Sequence, residues 1–297
     1  MVVGCSKDSA STAKGAKVRA AGGGASRIDD SAGGSVDLGN TSYTVAPLSA
    51  IGAVSGTIRL AGAGTGDSTQ SAKGVAKQVA NQGAKRAANQ VAIRVSDGAG
   101  APTALGVKDQ AVCGASASST APTATKTGGL SSAIVWIANV KSGKPLPADR
   151  RDDLSSEKCL LDPRVQAAVI GTTFNVFNDD KLLHRLVFLR LGTHDTLTVM
   201  PFFNSGQVVA SERLAKTSGI VEVRCAQHPW TRAYIAVFDH PYYAVTEDDG
   251  TFKIDSLPPG TYKLMVWHEG MAAAVEQQVQ VAAGGVGKAD VVVKIGE

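Results

Sequence analysis

The sequence predicts an all-β protein, one β-sandwich followed by a smaller one, and three observations carry that prediction. Short runs of β-branched and aromatic residues recur from about residue 133 to the C-terminus. Polar or glycine-containing turns separate most of them, as in a chain that reverses direction every few residues. No helical period lies between these runs, so the crossover helices that parallel α/β folds need are missing.

In chain order, residues 1–45 are crowded with glycine, alanine, serine and threonine and read as a disordered tether. Val54-Ser-Gly-Thr-Ile-Arg-Leu60 alternates apolar with polar residues and reads as a strand. The stretch from about 61 to 90 is rich in Gly, Ala, Lys and Gln, without large apolar residues, and reads as a low-complexity insertion. A second strand follows at Val91–Val95, and 116–127 reads as loop. Ala133-Ile-Val-Trp-Ile-Ala-Asn-Val140 is apolar on both faces over part of its length, as a strand inside a sandwich should be. Further strands are expected at Val165–Val169, Thr172–Phe177, Arg185–Leu191, Gly219–Arg224 and Ala233–Phe238.

The last stretch has its own pattern. Tyr243 to Ile254 reads strand, turn, strand, with Asp249-Gly250 as a hairpin signal. Leu257-Pro-Pro-Gly260 turns the chain into a strand ending at Val266-Trp267, and two more strands are expected near Val275–Val281 and Ala289–Ile295. The expected organisation is a tether at 1–45, a main unit at 46–240 with the insertion at about 61–90, and a small β unit at 241–297. In another arrangement, the strands at 54–60 and 133–140 belong to the tail unit, and the main unit is inserted between them and the tail.

Composition excludes several functions. The net charge is +4, and no Lys/Arg cluster is interleaved with aromatics, which argues against nucleic acid as a partner. No apolar run approaches the ~20 residues of a membrane helix. Neither a Gly-x-Ser-x-Gly elbow nor a His-Glu-x-x-His helix nor a phosphate-cradling glycine loop is present, so no enzyme is expected. Asp152-Asp153 and Asp179-Asp180 read as solvated loop charge, because neighbouring residues on a strand point to opposite faces.

Thr246-Glu-Asp-Asp-Gly-Thr-Phe-Lys-Ile254 and Leu257-Pro-Pro-Gly-Thr-Tyr-Lys-Leu264 together resemble the second half of a carboxypeptidase regulatory-like domain, a transthyretin-type β-sandwich. Three separate pieces resemble plastocyanin/azurin-like bacterial extracytoplasmic proteins. They are Gly171-Thr-Thr-Phe-Asn-Val-Phe-Asn178, the spacing from Asn178 to His184, and Val221-Glu-Val-Arg-Cys-Ala-Gln-His-Pro-Trp230. The resemblance implies a cupredoxin-like Greek-key β-sandwich followed by the small transthyretin-like one.

It also implies a copper centre on His184, Cys225 and His228, since a blue-copper site takes one thiolate and two imidazoles near one plane with a weak axial ligand. Asn178 is expected to hold the Cys225 loop by hydrogen bonds, and Trp230 to shield the site from water. Thr231 departs from the pattern: related sequences carry a methionine there, and Met200 can serve as axial ligand only if folding brings it close. Among the other histidines, His194 reads as a loop residue near the site, His240 as a junction residue and His268 as a strand-end residue.

The cysteines leave alternatives open. One assignment pairs Cys113 with Cys159 and leaves Cys225 as the thiolate ligand; the rival pairs Cys225 with one of them and removes the copper ligand. Cys5 follows Val2-Val3-Gly4 and resembles the lipidated cysteine of a bacterial lipoprotein, though the charged and apolar regions that should precede it are missing. That reading places the chain in the periplasm or cell envelope of a bacterium, touching the membrane only through a lipid anchor. The implied function is electron transfer or copper handling with a redox protein partner. The alternative is a metal-free cell-surface module that binds a protein or a glycan.

Overall fold

The computed structural model describes residues 38, 43–62, 90–92, 107–114, 123–125, 127–138 and 140–295. Cys5, and nearly all of the segments read as tether and insertion, lie outside the described residues.

Two facing sheets make up the first sandwich. One runs in the order Gln207–Ser211, Thr173–Asn178, Arg151–Glu157, Leu160–Asp162. The other runs Thr196–Phe202, His184–Arg190, Gly219–Cys225, Arg232–Phe238, Val165–Val169. Strand periodicity shows how the core is filled: Phe174, Val176 and Asn178 are buried while their neighbours Thr173, Asn175 and Phe177 are half-buried. Leu154, Phe174 and Val176 from the first sheet meet Leu186, Phe188 and Val223 from the second, all fully buried.

The second sandwich draws on both ends of the described chain. Tyr243–Val245, Ile134–Ala138, Gly260–Trp267 and Val275–Val281 form one sheet. In the other, Gly52–Leu60 pairs with Thr251–Leu257 on one side and with Val286–Lys288 and Val291–Val293 on the other. The strands Gly52–Leu60 and Ile134–Ala138 are therefore hydrogen-bonded to the tail, not to the 151–238 sheets. This is the inserted arrangement rather than a main unit running unbroken over 46–240. Alternation along a strand shows which face is buried but not which sheet it joins, so the sequence left both readings open.

The sandwiches share an apolar boundary. The outer face of the five-stranded sheet carries Ile220, Tyr234, Ala236 and Phe238 into the same core as Trp136 and Trp267. The Trp136 and Phe238 rings lie 5.9 Å apart, and the Tyr234 and Trp267 rings meet edge-on at 5.5 Å. Buried on both faces, Arg232–Phe238 reads as a continuous apolar run. At the boundary, Arg164 Nε and Nη2 donate to the two carboxylate oxygens of Glu269 at 2.8 and 2.7 Å.

Some elements differ from the sequence reading. Arg151–Glu157, Leu160–Asp162, Thr196–Phe202 and Gln207–Ser211 are strands beyond those expected from the sequence, and of these Arg151–Glu157 is polar in composition. Asp152 and Asp153 thus sit on a strand, not in a loop. Thr123–Thr125, within the stretch read as loop, pairs with Gln90–Ala92, and Val107–Cys113 is a short helix. The turn at Asp249-Gly250 is present, with Gly250 N donating to Glu247 O at 2.9 Å, but it joins no hairpin. Tyr243–Val245 and Thr251–Leu257 go to different sheets. Gly250 has φ +83°, and an added Cβ would collide with Ile58 O and Leu130 N, so close packing as well as turn geometry calls for glycine.

Candidate metal centre

One end of the first sandwich gathers the residues that the sequence singled out. Cys225 closes the strand Gly219–Cys225, and a tight loop leads from it to Arg232. Within that loop Cys225 N donates to Thr231 O at 3.1 Å and Thr231 N to His228 O at 2.9 Å. The loop is docked to the neighbouring strand by Ala226 N donating to Arg185 O at 2.9 Å and Arg185 N donating to Gln227 Oε1 at 3.0 Å. His184 opens that strand, so cross-strand pairing carries it to the same end as Cys225.

Three donor atoms converge. His184 Nδ1 and His228 Nδ1 are 3.2 Å apart, and Cys225 Sγ lies 3.5 Å from the first and 3.6 Å from the second. The residues are 0%, 2% and 4% exposed for His184, His228 and Cys225, so bulk water is excluded. The Trp230 ring, half-buried, lies 5.3 Å from the His228 ring and covers part of it.

Burial alone would push the Cys225 thiol up. Hydrogen bonding with His184 and His228, and with the Gln227 and Arg185 backbone, outweighs it and brings the thiol down to about 5. Burial likewise opposes charge on His184, but bonds to Asp180 and Cys225 raise it to about 9. The metal-free site therefore favours a thiolate beside an imidazolium at neutral pH.

The carboxylate that completes this network was read from sequence as solvated loop charge, and the structure corrects that. Asp180 is 3% exposed. Its Oδ2 lies 2.9 Å from His184 Nε2 and accepts from Ser156 Oγ at 3.0 Å and Cys159 N at 2.9 Å, while Oδ1 accepts from Lys158 N at 2.6 Å. Lys158 and Cys159 both have positive φ, 54° and 60°, in the turn between Arg151–Glu157 and Leu160–Asp162. That conformation aims two successive amides at one anion. The one signal in the sequence was the place of Asp180, four residues before His184.

Other expectations are redirected. Asn178 is fully buried, but its amide donates to the carbonyls of Asp180, Leu182 and Asn204, at 3.2, 3.4 and 3.0 Å. It shapes the loop that carries Asp180 to His184, not the Cys225 loop. Thr231, standing where a methionine was expected, donates its hydroxyl to Cys159 O. Met200 pairs with Leu186 and is buried in the same core cluster as Cys225. His194 is exposed in the turn beyond Arg190, at the far end of the strand that His184 begins. A seven-residue strand puts about 20 Å between those ends, so His194 is not beside the site. His240 is buried among the rings of Phe238, Tyr43 and Tyr242, and His268 is buried just after the strand Gly260–Trp267.

Cys113 and Cys159 form a disulfide, and Cys225 is a free thiol. The disulfide borders the site. The donor atoms of Cys113, Cys159 and His228 lie within 4.8 Å of one another, as do those of Cys159, Asp180 and His184. The donors best placed for a metal are His184, Cys225 and His228, a set suited to a soft or borderline ion.

Residues 217–294 match the carboxypeptidase regulatory-like domain family. The match begins upstream of Gly219–Cys225 and so takes in two strands of the first sandwich. No curated protein matches the sequence. Among solved structures, a reduced amicyanin mutant is 19% identical with a TM-score of 0.26, over 31% of this chain and 85% of that one. A purple cupredoxin from Nitrosopumilus maritimus is 17% identical with a TM-score of 0.25, over 29% and 97%. A copper-containing nitrite reductase from Thermus scotoductus is 20% identical with a TM-score of 0.27, over 34% of this chain but only 24% of that enzyme. The described residues form two joined β-sandwiches, and the carboxypeptidase regulatory-like match over 217–294 spans the last two strands of the first and the C-terminal strands of the second.

Proposed function

We propose that this protein binds one copper ion through His184 Nδ1, Cys225 Sγ and His228 Nδ1, and serves in electron transfer or copper handling rather than turnover of a substrate. The observation that carries the reading is the donor triangle of 3.2, 3.5 and 3.6 Å. An ion bound in a trigonal plane at ~2.0 Å from nitrogen and ~2.3 Å from sulfur sets its donors ~3.5 Å (N to N) and ~3.7 Å (N to S) apart. The triangle fits to within a few tenths of an ångström before any ion is placed. Other metals share such bond lengths, and what favours copper is the pairing of one thiolate with two imidazoles.

The protein's own groups do the rest. Asp180 holds His184 by Nε2 and leaves Nδ1 facing Cys225. The Cys225–Thr231 loop presents the thiolate and His228 from one side while His184 comes from the next strand. Burial keeps water from the donors. Bound there, copper would supply one-electron exchange between its two common oxidation states.

The natural partner in this reading is a redox protein, and the setting an oxidising one such as a bacterial envelope. The disulfide supports that setting, because such bonds persist outside the reducing cytosol. Titrating the metal-free protein with copper tests the reading. One equivalent should bind per chain, and binding should be lost in His184→Ala and in His228→Ala. Undiminished binding in both variants would move the copper elsewhere and leave a surface module that binds a protein or glycan.

A further inference from the structure

We propose, building on the copper reading above, that Cys159, fixed by its disulfide to Cys113, is the positioning residue that sets the distance between the two ligand-bearing segments. Three groups of this one residue point three ways. Its sulfur is bonded to Cys113 at the end of the helix Val107–Cys113. Its amide donates to Asp180 Oδ2 at 2.9 Å, and that same oxygen lies 2.9 Å from His184 Nε2. Its carbonyl accepts from Thr231 Oγ1, and Thr231 in turn donates its amide to His228 O and accepts from Cys225 N.

Every ligand is therefore two hydrogen bonds from Cys159. His184 is reached through Asp180, and Cys225 and His228 through Thr231. Strand pairing ends beside the site, at Leu186↔Cys225 and the Ala226 N to Arg185 O bond, so the contacts of Cys159 add a second tie between His184 and the Cys225–Thr231 loop. Cys159 is fully buried and adopts a left-handed backbone that a side chain rarely favours, φ 60°. A residue other than glycine keeps such a conformation when its surroundings over-determine it, and here the disulfide, the carboxylate and the threonine hydroxyl all do. The sulfurs also lie against His228, whose donor is within 4.8 Å of both.

The test compares Cys113→Ser/Cys159→Ser with Thr231→Val and Thr231→Ser, all in a Cys5→Ser background so that Cys225 is the one free thiol. Two quantities are read: the spectrum and affinity of added copper(II), and the rate at which Cys225 of the metal-free protein reacts with an aromatic disulfide reagent. The double variant and Thr231→Val should both shift the thiolate-to-copper band and weaken copper binding by about tenfold or more, the usual effect of losing an outer partner of a ligand. Both should also speed the reaction of Cys225, while Thr231→Ser, which keeps the hydroxyl, should match the parent in every readout.

If the double variant does not fold, the threonine pair decides alone, since it leaves the disulfide intact. Parent-like spectra and Cys225 reactivity in the double variant or in Thr231→Val, with only the melting temperature lowered, would overturn the proposal. A parent protein without a thiolate-to-copper band would overturn the copper reading, and the metal-free reactivity of Cys225 would still decide this one.

Discussion

His184 Nε2 lies 2.9 Å from Oδ2 of Asp180, a carboxylate four residues earlier that is itself pinned by the Lys158 and Cys159 amides and the Ser156 hydroxyl. Occupying Nε2 leaves Nδ1 to face Cys225 and His228, so the carboxylate chooses which ring nitrogen is offered to a metal.

Replacing Asp180 with Asn tests that choice. The amide accepts less strongly and offers an NH2 group that can face the turn's N–H donors. Copper affinity should fall about 10- to 100-fold. The metal-free protein should lose about 1–3 kcal/mol, because buried donors lose a charged acceptor. Copper titration and urea unfolding read the two effects, and an unchanged affinity would remove Asp180 from the site.

Copper affinity should depend on pH in a defined direction. In the metal-free protein Cys225 is a thiolate above about 5 and His184 keeps its extra proton up to about 9. Between those limits, binding must expel the proton that His184 carries. Affinity should rise about tenfold per pH unit across that window, as one released proton requires. It should level off above the window, and should fall more steeply below it, where Cys225 must also deprotonate. Titrations in weak and strong buffers count the protons released, and zero release at pH 7 would contradict the network.

Much of this was legible in the sequence, and what was not has physical causes. His184, Cys225 and His228 were readable through the resemblance of three separate sequence pieces to plastocyanin/azurin-like proteins, since a lone Cys-x-x-His is too common to point to a metal by itself. Asp180 was not, because its burial depends on a turn at Lys158-Cys159 that carries no Gly or Asn to announce a left-handed backbone. The role of Thr231 was hidden for a similar reason: its partner, Cys159 O, is distant in sequence. The strand Arg151–Glu157 escaped notice because Arg-Asp-Asp-Leu-Ser-Ser-Glu shows the solvent more than the core, with only Leu154 and Ser156 buried. The placement of Gly52–Leu60 needed knowledge of its partners, which no periodicity supplies.

The shared apolar boundary implies that the two sandwiches unfold together. Phe238 is 1% exposed and packs against Trp136 of the second sandwich. Phe238→Ala should cost about 3–5 kcal/mol, as large-to-small changes in a packed core do. Near-ultraviolet dichroism and Cys225 exposure should report one coincident transition in urea, before and after the substitution. Two separated transitions in the parent protein would show that the boundary is not cooperative.

The Arg164–Glu269 pair makes a smaller claim. Its two parallel bonds, at 2.8 and 2.7 Å, are partly shielded, with the side chains 26% and 9% exposed. Glu269→Gln keeps the shape and removes the charge, and should cost about 1–3 kcal/mol in thermal or urea unfolding. A loss below a few tenths of a kcal/mol would class it with exposed pairs that add little.

The most direct test of the central claim is the visible and paramagnetic-resonance spectrum of the protein after one equivalent of copper(II). The proposed site predicts an intense thiolate-to-copper band that disappears in Cys225→Ser. A colourless protein, or a band that survives that substitution, would contradict it.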